Sequence, residues 1–428
     1  MSRTKILFAA LIIFAMMSVL LAACNDVPSE PATANVLDNE VEAGGEEITD
    51  DPETPPSDDD TPPQEKDPEP ILPEYLTVRA VAVGDNLIHS SIYSQANRRA
   101  GGGDNYDFRP AYENVWHLIE GHDLGLINQE TLVNNVIPPS NWPHFSTPGP
   151  LGDLMIEMGF NAFNIANNHT LDLGTDGLIA SLDYWAEKEE DIAVFGAYYD
   201  MEDRKNIRTL EIGGVVFSFL GYAESLNGLD SWLIPPVEVG RFGNAHMDIM
   251  LAEIEAAKAI SDVCVVFLHW GLEDWNQIEP YQRTAAQRMV DAGADIIHGT
   301  HPHVLRDIEF IERESDGTQA LVIYSLANFI SSQIVPQTMI GGILTFDVIV
   351  NSKTRAVEIA DVLLIPIITH YDPGHTNVRL YPLTDYTPEL AAGHGIRNWG
   401  RFDYNYIFEI LRKNVSEKFL PDGWDTNR

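Results

Sequence analysis

Apolar runs of strand length alternate with helix-length segments from Tyr75 to about residue 367. The runs predict strands at residues 77–85, 123–130, 160–169, 192–197, 209–222, 262–271, 294–304, 320–330, 341–350 and 356–367. Helices are expected at about residues 152–158, 175–188, 245–260 and 281–293. Residues 209–222 predict a hairpin that turns at Gly213-Gly214. Strands interleaved with helices, followed by hairpins, predict a layered α/β domain with mixed sheets.

Five of the predicted strands end in side chains of the kinds that bind metal ions. These ends are Gly84-Asp85, Asn128-Gln129-Glu130, Asn167-Asn168-His169, His269-Trp270-Gly271 and Gly299-Thr300-His301-Pro302-His303. In α/β sheets, ligands bind beyond the carboxyl ends of the strands. Taken singly, Asp85 could cap a helix and Asn168 could lie in a left-handed turn. Packing does not require ligand-type residues at one apolar strand end after another, so the joint pattern predicts a shared metal site.

The residue types favour two divalent ions, with Mn, Fe or Zn as the candidates. Imidazole nitrogen suits these metals, and carboxylate favours the harder ones. A carboxylate such as Glu130 can bridge two ions about 3.5–4 Å apart, and such a pair can activate water. His301 and His303 flank Pro302 in a segment expected to be extended, so both side chains should lean to one side.

The first 24 residues predict an export signal. Arg3 and Lys5 precede an apolar run over residues 6–23, which ends in small residues before a cysteine. The sequence LAAC at 21–24 resembles a bacterial lipobox, in which Cys24 becomes the lipidated first residue of the mature protein. The apolar run could instead be a transmembrane anchor. Both alternatives hold the folded part at the membrane, outside the cytoplasm.

Acidic residues far outnumber basic residues in this chain. The chain has 65 acidic and 26 basic residues, with a net charge of −39, which excludes nucleic acid and an anionic membrane face as partners. Residues 25–74 hold 17 acidic residues and ten prolines but few large apolar groups, which predicts an acidic, Pro-rich disordered linker. A calcium or partner site within this segment is the alternative. The rest of the chain keeps 48 acidic against 23 basic residues, so the folded part is acidic too.

Six motifs in order resemble those of the CapA family, capsule-synthesis proteins associated with poly-gamma-glutamate and also called PgsA-like. The motifs are GD (84–85), N-x-E (128–130), NNH (167–169), HWG-x-E (269–273), G-x-HPHV (299–304) and YSL-x-NF (324–329). That family is itself similar to calcineurin-like metallophosphoesterases. The resemblance therefore implies a four-layer α-β-β-α sandwich of two mixed sheets over residues 75–385. A C-terminal extension, residues 386–428, could pack on this domain or stay loose.

The resemblance also implies roles for individual residues. The implied metal ligands are Asp85, Glu130, Asn168, His269, His301 and His303, with Glu130 as the bridge. His169 matches the histidine that protonates a leaving group or stabilises a transition-state oxyanion. Glu273 and Asn328 could orient ligands, or could serve only in the core or a turn. His89 could rejoin the site, but a position on its rim is expected.

The chain departs from the related patterns in three places. The Asp-x-His of metallophosphoesterases is absent after the first strand, where three other residues separate Asp85 from His89. Ala327 stands where family members more often have glycine, and Gln129 where they more often have leucine. His298 is an odd number of residues from His301 and is expected to point away from it.

The predicted function is that of a membrane-tethered, extracytoplasmic metal-dependent hydrolase in capsule or poly-gamma-glutamate synthesis, anchoring or processing. The superfamily implies phosphoester cleavage, and the family association implies amide cleavage or transfer. Expected partners are a cell-surface polymer or its synthase complex, and the membrane through lipid on Cys24. One alternative is a non-catalytic accessory subunit, although an acidic surface does not attract a polyanion without bridging cations. Another is a solute-binding lipoprotein, a class that does not need the histidines.

Overall fold

The computed structural model describes residues 74–188 and 191–425. The predicted signal peptide, the lipidation site at Cys24 and the predicted linker, apart from Glu74, lie outside these residues. Among the helices of the described part, none has both the length and the apolar character needed to cross a membrane.

The strands and helices follow the predicted pattern in most places. The strands are β1 Tyr75–Asn86, β2 Leu124–Asn128, β3 Val133–Asn134, β4 Thr147–Pro148, β5 Ala162–Asn164, β6 Ala193–Phe195, β7 Ala197–Tyr198, β8 Arg208–Ile212, β9 Val215–Ala223, β10 Glu238–Val239, β11 Val263–His269, β12 Ile296–Thr300, β13 Ile308–Glu312, β14 Gln319–Ile323, β15 Asn328–Ile330, β16 Ile340–Asn351, β17 Val357–Asp372 and β18 Thr376–Pro382. The helices are α1 Ser90–Arg99, α2 Arg109–Tyr112, α3 Pro150–Met158, α4 Gly174–Ala186, α5 Met201–Lys205, α6 Met247–Ala259, α7 Pro280–Ala292, α8 Pro388–Gly393 and α9 Tyr404–Asn414. Short 3-10 helices lie at Glu113–Leu118, Asp230–Trp232, Pro336–Met339, Leu383–Asp385, Gly395–Asn398 and Glu417–Phe419.

Two mixed sheets organise the chain. The first has the order β18-β17-β16-β1-β2-β5-β6, with β15 paired to the end of β1. Its strands β1, β2, β5 and β6 are parallel, whereas β16, β17 and β18 are antiparallel to their neighbours. The second has the order β13-β14-β12-β11-β9-β8, with four parallel central strands and an antiparallel strand at each edge. The predicted hairpin is the β8–β9 pair, and it turns at Gly213 and Gly214.

Alternate residues of β11 show how the layers are stacked. Val265 and Phe267 belong to the core cluster that also contains the first sheet. Val266 and Leu268, which point the other way, pack with residues of α6 and α7. On the far side of the first sheet, the Phe163 ring of β5 lies 4.7 Å from the ring of Trp185 of α4. The predicted α/β class and the α-β-β-α sandwich are therefore confirmed.

The C-terminal segment packs on the domain. Ile407, Phe408 and Leu411 of α9 are buried in the same core cluster as the first sheet. The helix is amphipathic, because apolar residues at these spacings share one face, and that face packs on the domain.

Candidate metal centre

The predicted ligands lie at the carboxyl ends of strands from both sheets. From the first sheet, Asp85 is near the end of β1, Glu130 is two residues beyond β2, and Asn168 follows β5. From the second, His269 ends β11, and the His301–His303 segment follows β12. Because the sheets pack face to face, these edges meet and bring the side chains together.

Two groups of side chains are close enough to hold metal ions. Within each group the potential ligand atoms lie within 4.8 Å of one another, and the groups are Glu130, His269 and His301, and Asp85, Glu130 and His303. Glu130 belongs to both, which is the arrangement that a bridging carboxylate requires. Asn168 adjoins the first group, because its Oδ1 lies 2.9 Å from Nε2 of His269. The structure thus brings the six implied ligands into one place.

Glu130 provides the test of whether a cation fits. Its side chain is fully buried, and neither carboxylate oxygen has a hydrogen-bond partner among the described residues. Oε1 lies 3.5 Å from Nε2 of His269 and 3.8 Å from Nε2 of His303. Burial, and then the charge of Asp85, raise the pKa of Glu130 well above its usual value. A buried carboxylate without partners is costly, and bound cations at these two groups would remove that cost.

Two of the histidines are held in the form that binds metals. Burial, followed by the neighbouring His301, lowers the pKa of His269 well below its usual value. Burial also lowers the pKa of His301 to about 3, with His303 adding to the effect. Nδ1 of His301 lies 3.0 Å from Nε2 of His269. Both imidazoles are therefore neutral at physiological pH, as ligand nitrogens must be.

His303 lies between the two carboxylates of its group. Its Nδ1 is 3.1 Å from Oδ2 of Asp85 and 3.0 Å from Oδ1 of Asn328. Burial alone would lower the pKa of His303, but the charges of Glu130 and Asp85 outweigh this and raise the pKa to about 10.

Two further side chains, Thr300 and Asn128, contact the candidate ligands, and the sequence did not reveal these contacts. Nδ1 of His269 lies 3.0 Å from Oγ1 of Thr300. The Asn128 amide donates to Oδ1 of Asp85 at 2.7 Å. Such contacts fix which atoms of a ligand face the ions. The only available signal was position: Thr300 and Asn128 are strand-end residues next to ligands.

The conformation predicted for the His301–His303 segment is wrong. Both residues have positive φ, 95° and 57°, instead of the extended conformation expected. Left-handed backbone is costly for residues with a side chain, about 1–3 kcal/mol each, and is concentrated at functional sites. The turn directs His301 toward His269 and His303 toward Asp85, so one short segment serves both groups.

His169 lies outside both groups of potential ligands and pairs with Asp172. Its Nδ1 lies 2.8 Å from Oδ2 of Asp172, and the same oxygen accepts a hydrogen bond from the backbone N–H of Phe145 at 2.7 Å. The Phe145 ring meets the imidazole edge-on, with the ring centroids 4.8 Å apart. Asp172 thus fixes the imidazole orientation. Sequence reasoning missed this residue, although its spacing of three from His169 was the available signal.

Asn328, Glu273 and His89, the three residues expected near the ligands, occupy different positions relative to the candidate metal centre. Asn328 is buried and contacts His303 directly. Glu273 is exposed and lines the cleft beside the centre. His89 lies in the wall of that cleft, outside both groups, with its Nδ1 3.4 Å from the backbone N of Ser332.

The cleft beside the centre has a volume of about 640 Å³. His169 and His303 reach it from the centre, and Asp172 lies behind His169. Its outer wall is apolar and includes Trp142 and Ile334, which are 72% and 47% exposed. A substrate bound here would contact the candidate ions on one side and an apolar surface on the other.

The fold and the site define an α/β protein with a candidate two-ion centre where the edges of two sheets meet. The sequence profile of the family described as "Bacterial capsule synthesis protein PGA_cap" matches residues 79–333, which is more than half of the chain. The chain belongs to this family.

Curated relatives carry related descriptions. The capsule biosynthesis protein CapA of Bacillus anthracis is 36% identical over 181 residues, covering 41% of this chain and 41% of that protein. The PGA biosynthesis protein CapA of Bacillus subtilis (strain 168) is 36% identical over 192 residues, covering 44% of this chain and 47% of that protein. A "probable polyglutamine synthesis accessory protein" of Mycobacterium tuberculosis is 30% identical over 154 residues, covering 34% and 40%. The matches span less than half of each relative's length.

Among solved structures, "a novel phosphatase" of Mycoplasma pneumoniae shares 12% identity and a TM-score of 0.38, covering 68% of this chain and 94% of that one. The protein TT1561 of Thermus thermophilus shares 6% identity and a TM-score of 0.32, covering 67% and 99%. Scores this low carry no weight for the site or its chemistry.

Proposed function

We propose that this protein is a metal-dependent hydrolase of the PGA_cap family that acts on a cell-surface polymer of the poly-glutamate type. The observation that carries the proposal is Glu130, a fully buried carboxylate without hydrogen-bond partners among the described residues, shared by two groups of ligand atoms. The descriptions of the Bacillus relatives support the polymer as the substrate class. Tethering to the outer face of the membrane through lipid on Cys24 is part of the proposal.

Different residues of the site would bind the ions, donate a proton and exclude water. When bound, two divalent ions would polarise a phosphoryl or carbonyl oxygen and make water a better nucleophile. Asp85, Glu130, Asn168, His269, His301 and His303 would hold them. His169 would donate a proton to the leaving group from Nε2, because its Nδ1 is engaged by Asp172. The apolar wall near Trp142 would exclude water from one side of the substrate.

Metal analysis of the purified full chain, prepared without chelators, tests the centre. We expect the wild type to contain Mn, Fe or Zn, and the double variant His301→Ala/His303→Ala to lose it. His117→Ala is the matched control, since His117 is exposed and lies outside both groups. Equal metal content in the double variant and the wild type would refute the centre. Metal-loaded protein with no turnover of bis-p-nitrophenyl phosphate or poly-gamma-glutamate would refute the hydrolase.

The second candidate function is a non-catalytic accessory subunit of a polymer synthesis or export complex. The description of the mycobacterial relative as an accessory protein favours it. Under this alternative, a pull-down of the full chain recovers a synthase or export protein, and His169→Ala has no effect on polymer production. Recovery of a partner together with loss of production in His169→Ala would favour catalysis within a complex.

A further inference from the structure

A second cavity adjoins the cleft, and the two share His89 and Ser332. This polar groove has a volume of about 500 Å³ and lies between α1 and the turn that joins β17 to β18. None of the described residues that line it is an aspartate or glutamate, although the whole chain has 65 acidic residues. The groove is thus a local exception to the acidic character of the protein.

One face of α1 supplies the polar groups of the groove. Ser90, Ser94 and Arg98 line it, and their spacing of four residues places them on the same side of the helix. The first backbone N–H of the helix, that of Ser90, is already bonded to Oδ1 of Asn141 at 2.9 Å. Within the described part of the chain, neither the Ser94 hydroxyl nor the Arg98 guanidinium has a hydrogen-bond or ion-pair partner.

The opposite wall is fixed to the helix by a buried side chain. The Gln95 amide donates to the carbonyl of His375 at 3.0 Å and accepts from the backbone N–H of Val378 at 3.2 Å. Gln95 is only 6% exposed. The His375 ring stacks on Tyr371, with the centroids 4.4 Å apart. These contacts hold the turn between β17 and β18 against α1 on both sides of Gln95.

Arg98 lines the groove nine residues after His89, the residue shared with the cleft. Burial lowers the pKa of Arg99; Asp107 opposes this effect, while the nearby Arg379 and Arg98 lower the pKa further. Arg99 itself lies outside the groove lining and donates to the carbonyl of Asp107 at 3.1 and 2.9 Å, so Arg98 is the guanidinium available in the groove. From His89 to Arg98 the helix advances about 13 Å, so a substrate that reaches both must be an extended one.

We propose that the polar groove is a subsite for an oxyanion of an extended substrate, with Arg98 as the charged contact and Ser94 as a hydrogen-bond donor. The inference rests on the proposed function: a polymer whose scissile bond lies in the cleft would continue past His89 and place a side carboxylate at Arg98. The groove gives an acidic protein a local means of binding a polyanion without bridging cations. It also sets the direction in which the polymer enters.

Binding of a gamma-linked glutamate pentamer to the full chain in detergent tests the subsite. We expect Arg98→Gln to raise Kd about tenfold, because a charge-assisted hydrogen bond is lost, and Arg98→Lys to recover part of the affinity. Lys353→Gln is the matched control, since Lys353 is an exposed cation far along the chain in the β16–β17 turn. Equal Kd values for Arg98→Gln and Lys353→Gln would overturn the proposal.

Two further probes identify the chemistry that the groove recognises. A pentamer with its carboxylates amidated should bind weakly to every variant, and equal binding of charged and amidated pentamers would overturn the subsite. Inorganic phosphate that competes with the pentamer only when Arg98 is present supports a general oxyanion site. Failure of phosphate to compete, with the Arg98 effect retained, supports a carboxylate site.

Measurements with and without chelator separate this inference from the proposed function. If the Arg98 effect persists while the wild type binds no metal and turns over no substrate, the groove stands and the hydrolase fails. If turnover is established but Arg98→Gln has the KM of the wild type, the hydrolase stands and the groove fails.

Discussion

At the scale of single residues, Asp172 fixes the orientation of the His169 imidazole. The carboxylate is 1% exposed, and its Oδ2 is held by the backbone N–H of Phe145 as well as by the imidazole. A carboxylate at Nδ1 fixes the orientation of the imidazole and leaves Nε2 as the nitrogen available to a substrate. In the proposed function, Nε2 of His169 would protonate a leaving group in the cleft.

The effect on kcat of losing the His169–Asp172 pair should depend on the leaving group of the substrate. Asp172→Asn is expected to lower kcat about 100-fold for a phosphodiester with an alkyl leaving group, which needs a proton, and little for a p-nitrophenyl ester. Adding Asp172→Asn to His169→Ala should cause no further loss, because the two residues act as a unit. Steady-state kinetics on both substrates measures this.

Asp153→Asn is the control, because Asp153 is an exposed carboxylate that pairs with Lys188. Equal losses on the two substrates would show that Asp172 only supports the structure.

His298 is a residue-scale feature outside the centre. It is fully buried, and neither ring nitrogen has a partner among the described residues. Its ring centroid lies 4.4 Å from that of Phe267. Burial lowers the pKa of His298 to about 3. An unpaired buried imidazole costs stability, and the cost grows in acid because only the unfolded chain takes up a proton easily.

His298→Leu should reduce the acid sensitivity of the fold. Below the unfolded pKa of about 6.5, the unfolded state gains a proton that the folded state refuses until about pH 3. Wild-type stability should therefore fall by about 2 kcal/mol more than that of the variant between pH 7 and pH 5. Urea unfolding in chelator at both pH values measures the difference. The exposed His117→Asn serves as control, and a parallel loss in His298→Leu would contradict the expectation.

Single residues were predictable where chemistry and position coincided. The ligand-type side chains at the strand ends come together because parallel strands share an edge, which needs no knowledge of distances. Asp172 was missed because it follows the third strand end in a loop, where an aspartate has many ordinary roles. The positive φ values of His301 and His303 were missed because neither is a glycine.

At the scale of elements, the end of β1 depends on close contact with the turn before β15. The backbone N–H of Asp85 donates to the carbonyl of Ala327 at 2.9 Å. A Cβ added to Gly84 would lie 1.8 Å from that same oxygen. Ala327 has φ of 61°, a conformation that glycine adopts without strain.

Gly84→Ala should separate these elements and displace Asp85. We expect a loss of about 3 kcal/mol in unfolding free energy, since backbone cannot yield as a side chain can. Gly393→Ala is the control, because nothing lies within 4 Å of its added Cβ and a small gain is expected. Denaturant unfolding and metal content measure the two effects, and a Gly84→Ala protein as stable as Gly393→Ala would contradict them.

The elements that the sequence predicted well have strong periodic signals. The helix expected at about residues 175–188 is Gly174–Ala186, and the one at about 245–260 is Met247–Ala259. Helix α1 was missed because only Ile92, Gln95 and Ala96 of its ten residues are buried, which leaves a narrow apolar face. The groove that α1 lines could not be foreseen without it.

At the scale of the whole molecule, the proposed tether would determine where the candidate centre operates. The lipobox-like sequence and Cys24 lie outside the described residues, so lipidation stays a prediction from sequence. A long acidic linker would keep the folded part away from an anionic membrane face by repulsion.

Cys24→Ser should abolish incorporation of labelled palmitate and release the protein from the membrane fraction. Cys264→Ser is the matched control, because Cys264 is the other cysteine of the chain and is buried in the second sheet. The control should retain the label. Retention of the protein in membranes without label would favour the transmembrane anchor.

The candidate centre can form only after residues that are far apart in the sequence have come together. The backbone N–H of His301 donates to Asp85, 216 residues earlier in the chain. A chain emerging from its N-terminus would therefore have only four of the eight strands of the first sheet, β1, β2, β5 and β6, when the last histidines arrive, and long-range contacts of this kind form late. An ion that binds only the finished site leaves the folding rate unchanged and slows unfolding. A bound metal ion would then slow unfolding of the assembled protein. Its removal would shorten the lifetime of the folded state rather than prevent folding.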